Sequence, residues 1–80
     1  MGPLYTYNVW LVDEPLEPVR TVQEFCAYGA AQTFASLYVG MERLVRGNHI
    51  TCMVGEPGQE PLRFRVSASW EIRAIQENHP

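Results

Sequence analysis

The sequence predicts an α+β domain in the order strand, helix, strand, strand (β-α-β-β), with a three-stranded mixed sheet and one long helix packed on one face. Three observations predict it. An alternating, strand-favouring run opens the chain at Leu4 to Val12; helical periodicity fills the middle from Thr21 to Gly47; and two more alternating runs, His49 to Val54 and Leu62 to Ile75, follow it.

The first run, LYTYNVWLV, is rich in residues that suit a pleated, half-buried surface. Tyr5, Tyr7, Val9 and Leu11 form a continuous apolar row expected to meet the helix, while Leu4, Thr6, Asn8, Trp10 and Val12 point the other way. Asp13 to Arg20 is read as a connection, because Pro15 and Pro18 block regular structure. The helix is predicted to start at Thr21, with Glu24 three residues on completing a capping box. Ala27, Ala30, Ala31, Phe34, Tyr38, Met41 and Val45 then share one face, and Gln32, Thr33, Ser36, Arg43 and Arg46 the other. Gly47 suits the left-handed position past a helix end, and Arg43 and Arg46 suit its negative pole. Gly40 costs about 1 kcal/mol relative to alanine inside a helix. Whether the helix ends at Gly40 or Gly47 stays open on the sequence, as does whether Met41 to Arg46 is then loop or strand.

In the second strand Ile50, Cys52 and Val54 form the apolar row, and the turn GEPGQEP leads out of it. The third strand alternates throughout, with Leu62, Phe64, Val66, Ala68, Trp70, Ile72 and Ala74 on one side. Arg63, Arg65, Ser67, Ser69, Glu71 and Arg73 take the other. Its length exceeds that of most strands, so a bend is expected near Ser67 to Ser69. Strands one and two, joined through the helix, are expected to run parallel with a right-handed crossover. The third is expected at the centre of the sheet, antiparallel to the second, with Gln76 to Pro80 fraying.

Length and composition set bounds. The chain of 80 residues is read as a single domain, 1–80. A core this small supplies only about 3–5 kcal/mol, which keeps a homodimer or a tightly bound partner open. A net charge of −3 argues against non-specific nucleic-acid binding. All six basic residues are arginine, the mark of either GC-rich coding or selection for guanidinium contacts. No apolar run approaches the roughly 20 residues of a membrane span and the first residues lack the pattern of a secretory signal, so a cytoplasmic location is expected. Cys26 and Cys52 are too few for a disulfide framework and are expected to be reduced.

No catalytic, metal or cofactor site is expected. Cys26 and His49 would make a thiolate pair only if the fold brought them together, and His49, His79, Cys26 and Cys52 lack ligand spacing. Two surfaces are candidates for binding. One is an acidic corner of Asp13, Glu14, Glu17 and Glu24, suited to a basic partner surface. The other is the sheet face away from the helix, where Trp10, Arg63, Arg65 and Arg73 have the chemistry to stack and hold single-stranded nucleic acid or to anchor a protein.

The succession of a YTYNVWLV strand, a VRTV segment, an AAQTFA helix and ITCMVGEPG running into RFRVSASWEI resembles small phage and mobile-element proteins, in particular type I anti-CRISPR proteins. That resemblance implies a compact, non-enzymatic sheet-plus-helix protein that binds a CRISPR effector of the bacterial host. It implies inhibition by blocking target-DNA binding or nuclease recruitment, and it transfers no functional residue. Two alternatives stay open: a single-stranded nucleic-acid-binding module, and a small dimeric structural or regulatory phage protein.

Overall fold

The computed structural model describes residues 2–14, 16–45, 49–68 and 72–77. Strand β1 (Tyr5–Leu11) is followed by strand β2 (Arg20–Glu24), helix α1 (Ala27–Phe34), a π-helical turn (Ala35–Val39) and a short helix α2 (Met41–Val45). Strands β3 (Ile50–Gly55), β4 (Leu62–Ala68) and β5 (Ile72–Gln76) complete it. The described residues make one five-stranded antiparallel sheet in the order β2-β1-β3-β4-β5.

This overturns the three-stranded mixed sheet under one long helix. The expected helix start is strand β2, which pairs with β1 from Val9↔Arg20 to Tyr5↔Glu24. Thr21 and Val22 are β-branched and favour the pleat. The Thr21 hydroxyl, expected to cap a helix, instead donates to Asn8 Oδ1 across the strands at 3.3 Å. The helix begins six residues later with Cys26 as its cap, the sulfur accepting from the Gly29 amide at 3.4 Å. Cysteine is not among the preferred capping residues, so nothing in the sequence advertised this start. With a hairpin preceding the helix, β1 meets β3 antiparallel rather than parallel. The centre of the sheet is β3, not the last strand.

The long final run is two strands. β4 and β5 pair antiparallel, from Phe64↔Gln76 to Ala68↔Ile72. The expected placements of Ser69, Trp70 and Glu71 lie outside the described residues.

The helical segment is also broken. Ala30, Ala31 and Phe34 are buried on the sheet, as the periodicity required. Beyond Phe34 the backbone takes a π-turn, closed by the Gly40 amide bonding to the Ala35 carbonyl at 2.9 Å. The wider turn rotates the apolar stripe out of phase. Ala35 is buried, and Tyr38, expected in the core, is half-exposed under the Arg20 guanidinium, 4.6 Å from its ring centre. Leu44 of α2 is fully buried on β4. The side chains of Met41 and Val45, and all of Arg46 to Asn48, lie outside the described residues.

The core is therefore one-sided. Tyr7, Val9 and Leu11 of β1, Val22 of β2, Ile50, Cys52 and Val54 of β3, Phe64 and Val66 of β4 and Ala74 of β5 face the helices. Alanines at positions 30, 31 and 35 allow α1 to lie close on the strands.

The helix break depends on backbone rather than packing. Gly40 has φ +95°, and a Cβ there would meet nothing within 4 Å. Gly40→Ala should lower unfolding free energy by about 1–3 kcal/mol through backbone strain alone, measured by urea denaturation. An unchanged midpoint would show that the turn relaxes freely.

Candidate functional site

The face of the sheet away from the helices is built by strand alternation. Antiparallel register brings its residues into rows: Thr21, Asn8 and Gly55; Trp10, Met53 and Arg63; Thr51, Arg65 and Ile75; Ser67 and Arg73. Neighbouring strands lie about 4.8 Å apart, so each row is continuous. All four residues expected on this face, Trp10, Arg63, Arg65 and Arg73, belong to it.

The antiparallel pairing of β4 and β5 changes their spacing. In one straight strand Arg65 and Arg73 would stand roughly 26 Å apart at about 3.3 Å per residue. In the hairpin Arg65 sits opposite Ile75 and Arg73 opposite Ser67, which makes the two arginines diagonal neighbours about 7–8 Å apart at the backbone. Three of the chain's six basic residues are gathered there, on a chain of net charge −3.

Trp10 owes its pose to Gly55. A Cβ on Gly55 would lie 3.3 Å from Trp10 Cζ3 and 3.5 Å from Cη2, so the indole lies over the bare strand backbone. It remains half-exposed beside Met53. The GEPG turn announced a bend in the sequence but not this seat for the ring. Ile75, half-exposed opposite Arg65, was likewise missed, because a straight strand places it at the far end of the run from Arg65.

The acidic corner does not exist as one site. Asp13, Glu14 and Glu17 lie in the β1–β2 connection, around an open hollow of about 350 Å³ that they share with Leu16, whose side chain is 99% exposed. Glu24 is at the far end of the same hairpin, paired with Tyr5. Its carboxylate accepts from the Thr33 hydroxyl at 2.8 Å, and Gly29 keeps space for it, since a Cβ there would be 3.0 Å from Glu24 Oε1. Glu14 is ion-paired with Arg43 of α2, and that hydrogen bond raises the arginine's pKa. Both side chains are a third or more exposed, so solvent screening leaves the pair worth about 0–1 kcal/mol.

Cys26 and His49 do not meet. Cys26 adjoins the Tyr5 end of the sheet and His49 leads into β3 beside Leu11, roughly 20 Å away at strand rise. Among the described residues no three of His, Cys, Asp and Glu converge in a way that would hold a metal ion. His79 lies outside them. No described helix is long and apolar enough to cross a membrane.

No protein-family model, curated protein or solved structure matches the chain.

The two thiols are chemically unequal. Cys26 is exposed, whereas burial under the helices pushes the Cys52 thiol up from 9.0 to about 12. Alkylation of the native protein at pH 8 should modify Cys26 alone, read by intact mass. A raised folded-state pKa stabilises fully below the unfolded value and is lost as pH climbs towards the folded one. Stability should therefore fall between about pH 9 and pH 12, by up to about 1.4 kcal/mol per pH unit for this one proton. Cys52→Ala should flatten that decline in denaturant titrations; an equally steep decline in the variant would assign it elsewhere.

Proposed function

We propose that the protein is a non-enzymatic inhibitor of the anti-CRISPR type, which binds a type I CRISPR effector of its bacterial host through the open face of its sheet. The observation that supports this reading is the grouping of a seated tryptophan with Met53, Ile75 and three arginines on a sheet whose other face is the core. Tryptophan, methionine and arginine are enriched where proteins bind each other, and lysine, which this chain lacks, is depleted there. A sheet face also holds its side chains on rigid backbone, so little ordering entropy opposes binding. The inhibitor acts by occupying surface that target DNA or the recruited nuclease needs.

The acidic β1–β2 connection now has a lesser part. Glu14 is already paired with Arg43, and Glu24 is remote from it. Asp13 and Glu17 remain to favour a basic rim around a partner's groove.

A second reading, single-stranded nucleic-acid binding, is favoured by the same arginines with one stacking indole. The two separate by experiment. Purified type I effectors should co-elute with the wild-type chain, and a phage plaque assay should show loss of interference. Trp10→Ala should weaken the complex by about 2 kcal/mol or more, roughly thirtyfold in Kd. Failure to co-elute, with interference intact, would reject the inhibitor reading. A low-salt shift of random oligonucleotides that Trp10→Ala abolishes would put the nucleic-acid reading in its place.

A further inference from the structure

Strand β2 forms one edge of the sheet, and among the described residues no strand pairs with its outer side. No proline or bulge interrupts it, and its register with β1 runs unbroken from Arg20 to Glu24. An edge left open in this way is a template for adding another strand.

The hydrogen-bond phase shows which groups the edge offers. The Val12 amide donates to the Thr51 carbonyl at 3.0 Å, on the β3 side of the first strand. Successive residues of an antiparallel strand bond to opposite neighbours. Asn8 and Trp10 therefore bond towards β3, and Tyr5, Tyr7 and Val9 towards β2. Their partners are Glu24, Val22 and Arg20, which leaves the amides and carbonyls of Thr21 and Gln23 pointing outward. Both residues are exposed.

The order of side chains along this edge selects its occupant. From Val19 to Phe25 it reads VRTVQEF: apolar, basic, polar, apolar, polar, acidic, apolar. Turned end for end about Val22, the stretch complements itself. Arg20 of one copy stands opposite Glu24 of the other, and Thr21 opposite Gln23. Val19, 57% exposed, stands opposite Phe25, 50% exposed. The two Thr21–Gln23 pairs use every outward amide and carbonyl of both copies. A parallel pairing in register would set Arg20 against Arg20 and Glu24 against Glu24, which is destabilising. Sliding the antiparallel register by two residues either way separates the opposite charges. The other edge strand lacks this property: about Ala74 of β5, Arg73 meets Ile75 and Ile72 meets Gln76.

Both charged side chains are already positioned on the helix side of the strand. The Arg20 guanidinium lies 4.6 Å from the Tyr38 ring centre, and the Glu24 carboxylate accepts from the Thr33 hydroxyl at 2.8 Å.

We infer that a second copy of the chain occupies this edge, in a two-fold dimer joined by antiparallel β2 strands about Val22. The axis runs perpendicular to the sheet, so the helices of both copies lie on one side and both open faces on the other. The inference does not depend on what the open face binds.

The test is sedimentation velocity of the full chain at low salt, from micromolar to millimolar concentration. The wild-type chain should pass from monomer to dimer across that range. Arg20→Glu and Glu24→Arg each set like charges opposite one another at both ends of the interface. Each should raise the dimer's dissociation constant about tenfold or more. Mixed in equal amounts, the two variants bring opposite charges together again and should form a heterodimer with about wild-type affinity. Carrying both substitutions in one chain should restore the homodimer in the same way. These restorations separate a lost interface from a lost fold, because an unfolded variant rescues nothing. A wild-type chain that stays monomeric at millimolar concentration, a mixture that associates no more tightly than either variant alone, or a dimer that both reversals leave intact would overturn the inference. Trp10→Ala should leave the dimer unchanged, and its loss in that variant would move the interface to the open face instead.

Discussion

The packing of one narrow helical strip on the inner rows of five strands is the interaction on which the rest of the molecule depends. Ala30, Ala31, Phe34 and Ala35 present a surface slim enough to lie close on the sheet, and Val9, Cys52, Val54, Phe64 and Val66 beneath them are almost wholly buried. A short α1 followed by a π-turn and α2 cannot cover two faces. With its helices all on one side, the described part of the chain invests its burial there and leaves the other face to solvent or to a partner. That asymmetry, more than any single side chain, is why the open face is the place to look for function.

Much of this was legible in residue order because side-chain alternation is a local property. The inner rows of β1, β3 and β4 and the alanine face of α1 stand where their periods put them, apart from Tyr5, which is half-exposed at the end of β1. So do Trp10, Arg63, Arg65 and Arg73, since each lies on the polar phase of an alternating run. What was not legible depended on pairing between distant segments. Thr21 to Glu24 satisfies the pattern of a capping box and of a strand equally well, and only the partner strand β1 decides between them. The sequence beyond Ala68 continues the same alternation into β5, so periodicity alone could not reveal the reversal in strand direction. The π-turn is a further case: it displaces Tyr38 from the core and brings Leu44 in without any change in composition.

The acidic corner shows how such an error propagates to function. Reading Glu24 as a first-turn helix residue placed it next to the β1–β2 connection. Once β2 is a strand, the same residue is carried the length of the hairpin away and becomes an internal partner for Thr33. The acids of the two long connections then lie at opposite ends of the sheet, Asp13, Glu14 and Glu17 at one and Glu56 and Glu60 at the other.

The correction to the last strand works in the other direction. Pairing β5 against β4 draws arginines that would be strung along one strand closer together, with Arg63 in the row of Met53 and Trp10. Guanidinium groups spread over a long strand would each meet a separate part of a partner. On adjacent strands they raise the potential over one part of the face, where Arg63 shares a row with Met53 and Trp10. The charge is thus segregated by topology. Arg63, Arg65 and Arg73 sit on the open face, whereas Asp13, Glu14, Glu17, Glu56 and Glu60 sit in the connections at either end. A partner that meets the face squarely encounters arginine and tryptophan first and the carboxylates only at its rim. Orientation would therefore be set by the fold before any close contact forms.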